Sequence, residues 1–329
     1  MPPPRRNIYE QQSQNRRLTV LVLVLFVLFV GFLGLGLDLF LFGPPVNDDG
    51  TMTFPIPIAT LAAVTIASVG AARSAMHGDA AVLASATATP VPEENPAYRP
   101  LINIVEEMSI AAGIPRPRIY VVPDPDPNAF ATGRDPAHAS IAVTQGLVEK
   151  LNREELQGVV AHEMSHIRNE DIRLMTVVAS LIGAVMLMTE FGTRMFRFGG
   201  ARGSRKSSRS GGGPASLILF VLWVIAMVLA PFVANLLAMA VSRQREYLAD
   251  ASGAELTRNP GGLASALEKI AAADDPTRLI KKGTAHLCIA DPLGREANDH
   301  DGFLANLLGT HPPVERRISL LKAMAFQPS

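Results

Sequence analysis

The chain contains four apolar runs among stretches of mixed polar and apolar residues, and these runs predict its membrane segments. The first, residues 18–42, is nearly unbroken, and as a helix it would cover about 37 Å, more than the ~30 Å hydrocarbon core of a bilayer. A second run over 56–72 follows a turn that contains Pro44, Pro45 and the polar residues 47–50. The two runs predict a transmembrane hairpin. A cleaved signal peptide is the alternative for the first run, but its apolar core would be about half as long.

Two further apolar runs, 174–188 and 215–241, lie in the second half of the chain. The longer one is a candidate transmembrane segment, whereas the shorter one is marginal in length. The Gly/Ser-rich loop over 194–209 between them carries six basic residues and no acid. Because basic loops resist translocation, the runs either cross against that rule or enter the membrane and return. In both cases the segment before the shorter run and the segment after the longer run lie on the same side of the membrane.

The stretch between the second and third runs has the pattern of a small folded domain. Residues 81–96 are small and Pro-rich, as is typical of a linker, and 101–112 have the apolar spacing of a helix. Two runs rich in β-branched residues, 118–122 and 140–143, predict strands. The expected fold class is therefore mainly α with a small antiparallel β-sheet, joined to transmembrane helices.

A helix that begins after Asn152 carries the candidate chemistry. Asn152 and Glu155 have the spacing of a capping box, and positions 156, 159, 160 and 167 give the helix an apolar face. His162, Glu163 and His166 in this helix match H-E-x-x-H. Since positions i and i+4 share one helix face about 6 Å apart, both imidazoles can bind one zinc ion, with Glu163 as the base that takes a proton from water.

Composition and charge restrict the classes of protein to which the chain can belong. The 329 residues are 48% hydrophobic and 18% charged, with a mean hydropathy of +0.22, which is too apolar for an ordinary soluble domain. Thirty basic and 30 acidic residues balance, so no global field favours nucleic acid. The single Cys288 excludes a disulfide framework and a thiolate metal cluster. Basic residues flank both ends of the hairpin and acids occupy its turn, which predicts cytoplasmic ends.

Two histidines leave a catalytic zinc site one protein ligand short. Glu170 continues the helix face but lies ~12 Å along the axis from His162, too far for the same ion. Glu246 follows the last apolar run on the same side as His162, and Asp250, one turn later, could accept the Nδ1 proton of a ligand histidine. A carboxylate pair with this spacing is more often a solvated face, so the residues alone leave this assignment open.

Several blocks in the same order resemble membrane zinc metallopeptidases of the HtpX type, over nearly the whole chain. They are INIVEEMSIAAGIPRPRIYVV, PNAFATGRDPAHASIAVTQGL, ELQGVVAHEMSHIRNED, SRQREYLADASGAEL, TAHLCIADPL and THPPVERRISLL. The resemblance implies a zincin-like α+β protease domain of the gluzincin kind with one zinc ion per chain. It also implies that Glu246 is the third zinc ligand and that Asp250 supports the site from the next turn.

The same resemblance implies residues that contact the substrate. An edge strand is expected to bind the substrate main chain by strand addition, and it comprises Asn128, Ala129, Phe130 and Ala131. An ordinary loop is the alternative. His311 and Arg317 are expected near the cleft, where either could stabilise the tetrahedral oxyanion. Two other roles for this block remain open: His311 could cap the zinc in a resting state, or the block could simply cap a helix.

These patterns predict five parts of the chain. They are a cytoplasmic tail (1–17), a transmembrane hairpin (18–74), the first part of a cytoplasmic zinc protease domain (75–171), two apolar membrane segments with a basic loop (172–241) and the second part of the protease domain (242–329). The active site is expected to face the cytoplasm from a multi-pass position in the cell membrane.

The expected function is a zinc metalloendopeptidase that cleaves polypeptides, chiefly misfolded membrane proteins, in the stress response that the resemblance implies. The lipid bilayer is the other expected contact, and no nucleic-acid partner is expected. A prenyl-protein-type protease is one alternative, although four apolar runs are few for it. A non-catalytic membrane scaffold is another, and the intact Glu163 argues against it because a scaffold needs no base beside a metal.

Overall fold

The computed structural model describes residues 8–42, 56–183, 243–273, 277, 279–280, 282–292 and 312–325. The chain divides into two compact units. The first comprises Met1–Thr19, Ala75–Ser180 and Leu236–Ser329, and the second comprises Val20–Ser74 and Leu181–Asn235. The basic loop, the longer second-half apolar run and His311 lie outside the described residues.

Two long helices, α1 (Ile8–Phe42) and α2 (Ile58–Ser85), correspond to the predicted hairpin. In the second unit they approach closely at Gly34, where a Cβ atom would lie 2.8 Å from the Thr60 Cα atom. Asp38 caps α2, because its carboxylate accepts hydrogen bonds from the backbone N–H groups of Ala59 and Thr60, at 2.8 Å each. Their apolar faces are exposed, and both helices are long and apolar enough to cross a membrane.

Both helices extend beyond the predicted apolar runs. Helix α1 begins at Ile8, ten residues before the predicted span, so most of the expected tail is helical. Helix α2 continues to Ser85 through a non-helical residue, His77 (φ −137°, ψ 23°). The prediction of a linker from residue 81 was therefore wrong for its first five residues, because small residues such as alanine are compatible with a helix.

The sheet is small, as predicted, but it is mixed and not antiparallel. Its strands are β1 (Thr89–Pro90), β2 (Arg118–Val122), β3 (Ala129–Gly133) and β4 (Ala139–Thr144), in the spatial order β1-β2-β4-β3. Strands β1 and β3 each run antiparallel to their neighbour, whereas β2 and β4 are parallel. The chain reverses between β2 and β3 and again before β4, which restores the original direction. All six residues of β4 are buried, in agreement with its interior position.

The remaining helices make the fold mainly α, as predicted. They are α3 (Arg99–Ala112), α4 (Gln145–Lys150), α5 (Arg153–Arg168), α6 (171–183), α7 (Arg243–Thr257), α8 (Pro260–Ala271), α9 (Lys282–Ala285) and α10 (Val314–Ala325). Helix α5 is central and packs on α3, α7, α8 and β3. Its predicted apolar face is buried, and this central packing fixes the helix that carries H-E-x-x-H.

The start of α5 confirms the predicted capping box. The Asn152 side chain accepts a hydrogen bond from the Glu155 backbone N–H at 2.9 Å, and the Glu155 carboxylate accepts one from the Asn152 N–H at 2.8 Å. The box satisfies two N–H groups that the first turn of a helix otherwise leaves without partners. The helix start, and with it the register of the following residues, is thereby fixed.

Candidate metal centre

Three side chains from two helices converge inside the first unit. His162 and His166 lie one turn apart on α5, and Glu246 lies in the first turn of α7. Their nearest ligand atoms all lie within 4.8 Å of one another. Glu246 Oε2 is 3.7 Å from His162 Nε2, and Glu246 Oε1 is 3.5 Å from His166 Nε2. The structure thus brings together the three residues that the sequence and the resemblance predict as metal ligands.

A glycine allows α7 to lie against the metal-binding face of α5. A Cβ atom at Gly253 would be 3.1 Å from the His162 backbone nitrogen and 3.2 Å from its Cα atom. Such distances are shorter than ordinary van der Waals contacts, so a larger residue would push the two helices apart. The close approach keeps Glu246, two turns earlier on α7, within reach of both imidazoles.

The cluster fits a metal ion by its donors and by its burial. His162, His166 and Glu246 are at most 3% exposed. Within the part of the chain that the structure describes, His162 Nε2 and Glu163 Oε1 are buried without a hydrogen-bond partner. Buried polar atoms are rarely left in this state, and both belong to the cluster. Two imidazoles and one carboxylate form a donor set typical of catalytic zinc sites.

On one side of the cluster, His162 is held by an acid and a buried arginine. Asp250 Oδ1 lies 3.0 Å from His162 Nδ1. Arg317, from α10, donates from Nε to Asp250 Oδ2 at 2.8 Å and from Nη2 to Oδ1 at 2.7 Å. Burial alone would raise the pKa of Asp250, but the Arg317 charge and hydrogen bonds outweigh it and lower that pKa to about 2. Asp250 is therefore a fixed anion beside His162.

On the other side, His166 is paired with Asp171, whose role the sequence analysis did not identify. Asp171 Oδ2 lies 3.2 Å from His166 Nδ1, and Asp171 is fully buried. Burial alone would lower the pKa of His166, but the Asp171 hydrogen bond and the Glu246 charge raise it. The signal in the sequence was a carboxylate just past the end of α5, at the point where the chain turns. Each histidine therefore has its own carboxylate at Nδ1, which leaves Nε2 to face the cluster.

Glu163 lies beside the three ligands and is 1% exposed. The backbone N–H of Ala131, in β3, faces its carboxylate and acts to lower its pKa. Burial raises the pKa of Glu163, and the Glu246 charge raises it further, although the two histidines act in the opposite direction. A carboxylate with a raised pKa is a better proton acceptor than a solvated one, as a general base requires.

The predicted substrate segment forms an edge strand among the described residues, β3, but its first half is already bonded. Ile289 N–H donates to Ala129 O at 2.9 Å, and the Asn128 side chain donates to Ala290 O at 3.0 Å. Phe130 forms an isolated antiparallel bridge with Cys288. Of the four residues, Ala131 is the one next to Glu163. Strand addition along the first half would need residues 288–290 to move.

The two residues proposed for oxyanion stabilisation have different outcomes. His311 lies outside the described residues. Arg317 is described, and its guanidinium is fully buried, bound to Asp250, 3.4 Å from Glu246 and 2.5 Å from Ile289 O. These contacts favour a role in holding Asp250 and Glu246. Stabilisation of an oxyanion by either residue stays a prediction.

Comparisons with known proteins match most of the chain to peptidases. A family model described as peptidase family M48 matches residues 97–325. A protease HtpX homolog of Thermoanaerobacter pseudethanolicus is 42% identical over 323 residues, which cover 98% of this chain and 99% of that protein. One of Limosilactobacillus reuteri is 40% identical over 317 residues, with 96% and 100% covered. Ste24p of S. mikatae, a solved structure, matches with 19% identity and a TM-score of 0.47, over 78% of this chain and 57% of that one.

Proposed function

The chain belongs to peptidase family M48, and from that membership we propose that this metallopeptidase is a zinc-dependent endopeptidase anchored in the cell membrane, with Glu163 as its general base. The observation that carries the proposal is the convergence of His162, His166 and Glu246 around buried donor atoms, with Glu163 next to them. Metal-dependent peptide hydrolysis needs these two components, a Lewis acid and a base, at one place.

The chemistry divides between the ion and the chain. Zinc, when bound by His162, His166 and Glu246, would acidify a water molecule and polarise the scissile carbonyl. Glu163 accepts the proton of the attacking water and passes it to the leaving amine. Asp250 and Asp171 keep each histidine in the tautomer that presents Nε2 to the ion.

Substrates are proposed to be polypeptides, and misfolded membrane proteins in particular. The middle of strand β3, at Ala131, lies beside Glu163, so a chain that pairs with the edge there would bring a peptide bond next to the base. Residues 288–290 occupy the preceding part of the edge, and the Gly133 N–H that follows donates to Thr176 Oγ1 at 3.1 Å, so the pairing is expected at Ala131 alone. The exposed apolar faces of α1 and α2 support a position in the bilayer.

Purified full-length protein in detergent tests the enzymatic proposal. We expect about one zinc per chain and hydrolysis of casein that stops when a chelator removes the ion and returns when zinc is added. Glu163→Gln should abolish hydrolysis, whereas the matched control Glu149→Gln, at an exposed position on α4, should not. Bound zinc without hydrolysis by the wild type would favour the scaffold, and cleavage restricted to prenylated peptides would favour the prenyl-protein-type protease.

Labelling of single cysteines in intact cells tests the cytoplasmic orientation. In a Cys288→Ser background, cysteines at the exposed positions Glu149 and Glu255 should resist an impermeant thiol reagent until the cells are permeabilised. A cysteine at Asp48, in the turn of the hairpin, should react at once. Opposite labelling of Glu149 and Glu255 would contradict a shared metal site, because these positions lie on the two protease segments that supply its ligands. A cysteine at Ser207 should react only if the last two runs cross the membrane.

A further inference from the structure

We propose that Asn15, near the start of α1, is a positioning residue of the metal centre: it fixes the carboxylate of Asp171, which orients His166. The proposal rests on the zinc site of the proposed function and adds a component that lies about 150 residues away in sequence. Asn15 and Asp171 both belong to the first unit, although α1 continues beyond it. Asn15 also lies only three residues before the predicted transmembrane span.

The first turns of α1 contact the end of α5 through three polar side chains. Gln12 Nε2 donates to Arg168 O at 3.0 Å. Arg16 donates to both carboxylate oxygens of Glu170, at 2.9 and 2.6 Å. Glu170 has a positive φ of 56°, so this ion pair lies at the sharp turn between α5 and α6. Asn15, the third residue, is the one that reaches the metal centre.

The amide of Asn15 has one possible orientation. Its Nδ2 lies 2.7 Å from Asp171 Oδ1 and 3.2 Å from Asn169 O. Both partners are acceptors, so the NH2 group must face them and use both of its protons. Asn15 is 2% exposed, which means that water does not offer a ready substitute for either bond. The contact is therefore specific for a residue that can donate twice.

The bond from Asn15 decides where the Asp171 carboxylate points. With Oδ1 held by Asn15, Oδ2 faces His166 Nδ1 at 3.2 Å. The nearest cation recorded for Asp171 is Arg245, whose Nη1 lies 3.6 Å from the same Oδ1 atom. If Asn15 no longer donates, the carboxylate is free to rotate toward Arg245 and to lengthen its contact with His166. His166 would then lose the acceptor that fixes its tautomer and ring orientation.

The consequence is that the cytoplasmic end of the first membrane helix is part of the metal centre. A shift of α1 along its axis would move Asn15 and would be felt at His166 through a single side chain. Gln12 and Arg16 hold the same end of α5 without a recorded contact to Asp171. Substitutions of Gln12 and Arg16 therefore distinguish a general role in packing from the specific role proposed for Asn15.

Zinc affinity of the purified full-length protein, measured by competition with a chromophoric chelator, tests the proposal. Asn15→Leu should lower the affinity about 10-fold, the lower end of the loss seen when a residue behind a metal ligand is removed. Gln12→Leu, the matched control, should leave it unchanged. In an Asp171→Ala background Asn15→Leu should cause no further loss, because it acts only through that carboxylate. The visible spectrum of the Co²⁺-substituted protein should change in Asn15→Leu and not in Gln12→Leu.

Wild-type affinity in Asn15→Leu, equal losses in Asn15→Leu and Gln12→Leu, or losses that multiply in the double variant would each overturn the proposal. If Asn15→Leu does not fold, as judged by far-ultraviolet circular dichroism, Asn15→Ser replaces it. Serine donates once and is shorter, so the same three comparisons apply to it. A wild-type protein that binds no zinc would instead contradict the proposed function, which keeps the two failures distinct.

Discussion

The two histidines of the metal centre are supported in the same way but by different parts of the chain. Behind His162 stands Asp250, held by a full positive charge, Arg317, from the last described helix. Behind His166 stands Asp171, held by a neutral amide, Asn15, from the first described helix. The first support is a buried ion pair, and the second is a hydrogen bond to a buried acid.

This difference suggests separate roles for the two supports: the ion pair behind His162 stabilises the fold, and the hydrogen bond behind His166 orients a ligand. A buried carboxylate whose cation is removed keeps its charge in a medium that solvates it poorly, so the loss affects the whole fold. A buried carboxylate that loses a neutral donor still has a cation 3.6 Å away, as Asp171 has in Arg245. We therefore expect changes on the His162 side to reduce stability and changes at Asn15 to reduce mainly zinc affinity.

The largest effect is expected from Arg317→Met. It leaves Asp250 buried without its partner and should cost about 3–5 kcal/mol of folding free energy, as is usual when one half of a buried ion pair is removed. Thermal unfolding in detergent, followed by circular dichroism, measures it. The double variant Arg317→Met/Asp250→Leu should recover much of the stability without the zinc affinity. A small shift of Tm in the single variant would show that the two sides do not differ as described.

The next largest effects are expected from substitutions of Asp250 and Asp171, the two carboxylates that orient the histidines. Asp250→Asn and Asp171→Asn should each weaken zinc binding by roughly 10- to 100-fold, because a neutral amide is a poorer acceptor for the histidine Nδ1 proton. Chelator competition on the purified variants measures both. Asp250→Asn should also deprive the buried Arg317 of the carboxylate that it binds through two hydrogen bonds and so lower Tm, whereas Asp171→Asn should lower it less. Equal Tm values in the two variants would contradict the proposed difference between the His162 side and the His166 side.

The pH dependence of zinc binding follows from the pKa of His162. Burial alone would lower that pKa, but the adjacent carboxylates of Asp250 and Glu246 raise it from 6.5 to about 9 in the metal-free protein. The metal must displace this proton, and the His166 proton where that is bound, so affinity should rise at least about tenfold per pH unit and level off near pH 9. In the metal-free protein the same proton stabilises the fold fully below pH 6.5, and this contribution is lost as the pH rises through 9. A flat zinc-affinity profile between pH 6.5 and 9 would contradict the prediction.

The smallest effect is expected from Arg16→Met. The Arg16 side chain is 58% exposed, and exposed ion pairs contribute at most about 1 kcal/mol. Tm should fall slightly, and zinc affinity should not change, since Arg16 pairs with Glu170 and has no recorded contact with Asp171. A loss of zinc affinity as large as that of Asn15→Leu would mean that the whole end of α1, and not one amide, supports His166.

Sequence patterns predicted the local features of the site well. The capping box at Asn152, the apolar face of α5 and the pairing of His162 with His166 all follow from spacing within one helix. Glu246 needed more, because its distance from His162 depends on how α7 packs. The residues alone left it open, and the resemblance supplied it.

Features that depend on tertiary packing could not be predicted in this way. Alternation marks a strand but not its neighbours, so the parallel pairing of β2 with β4 was missed. The role of Asp171 does not follow from the sequence, because a carboxylate just after a helix is typical of an ordinary surface residue. Asn15 lies in a polar stretch that predicts a tail, because the apolar run begins only at Leu18. In each case the missing information was a contact between segments that are far apart in the chain.

The central claim is that His162, His166 and Glu246 bind one zinc ion and that Glu163 transfers the proton of the attacking water to the leaving amine. Zinc content and casein hydrolysis of purified Glu163→Gln and Glu246→Gln, measured side by side with the wild type, test it most directly. The account predicts that Glu163→Gln keeps its zinc and loses hydrolysis, whereas Glu246→Gln loses zinc and hydrolysis together. Full zinc retention by Glu246→Gln in the presence of a chelator, or substantial hydrolysis by Glu163→Gln, would contradict it.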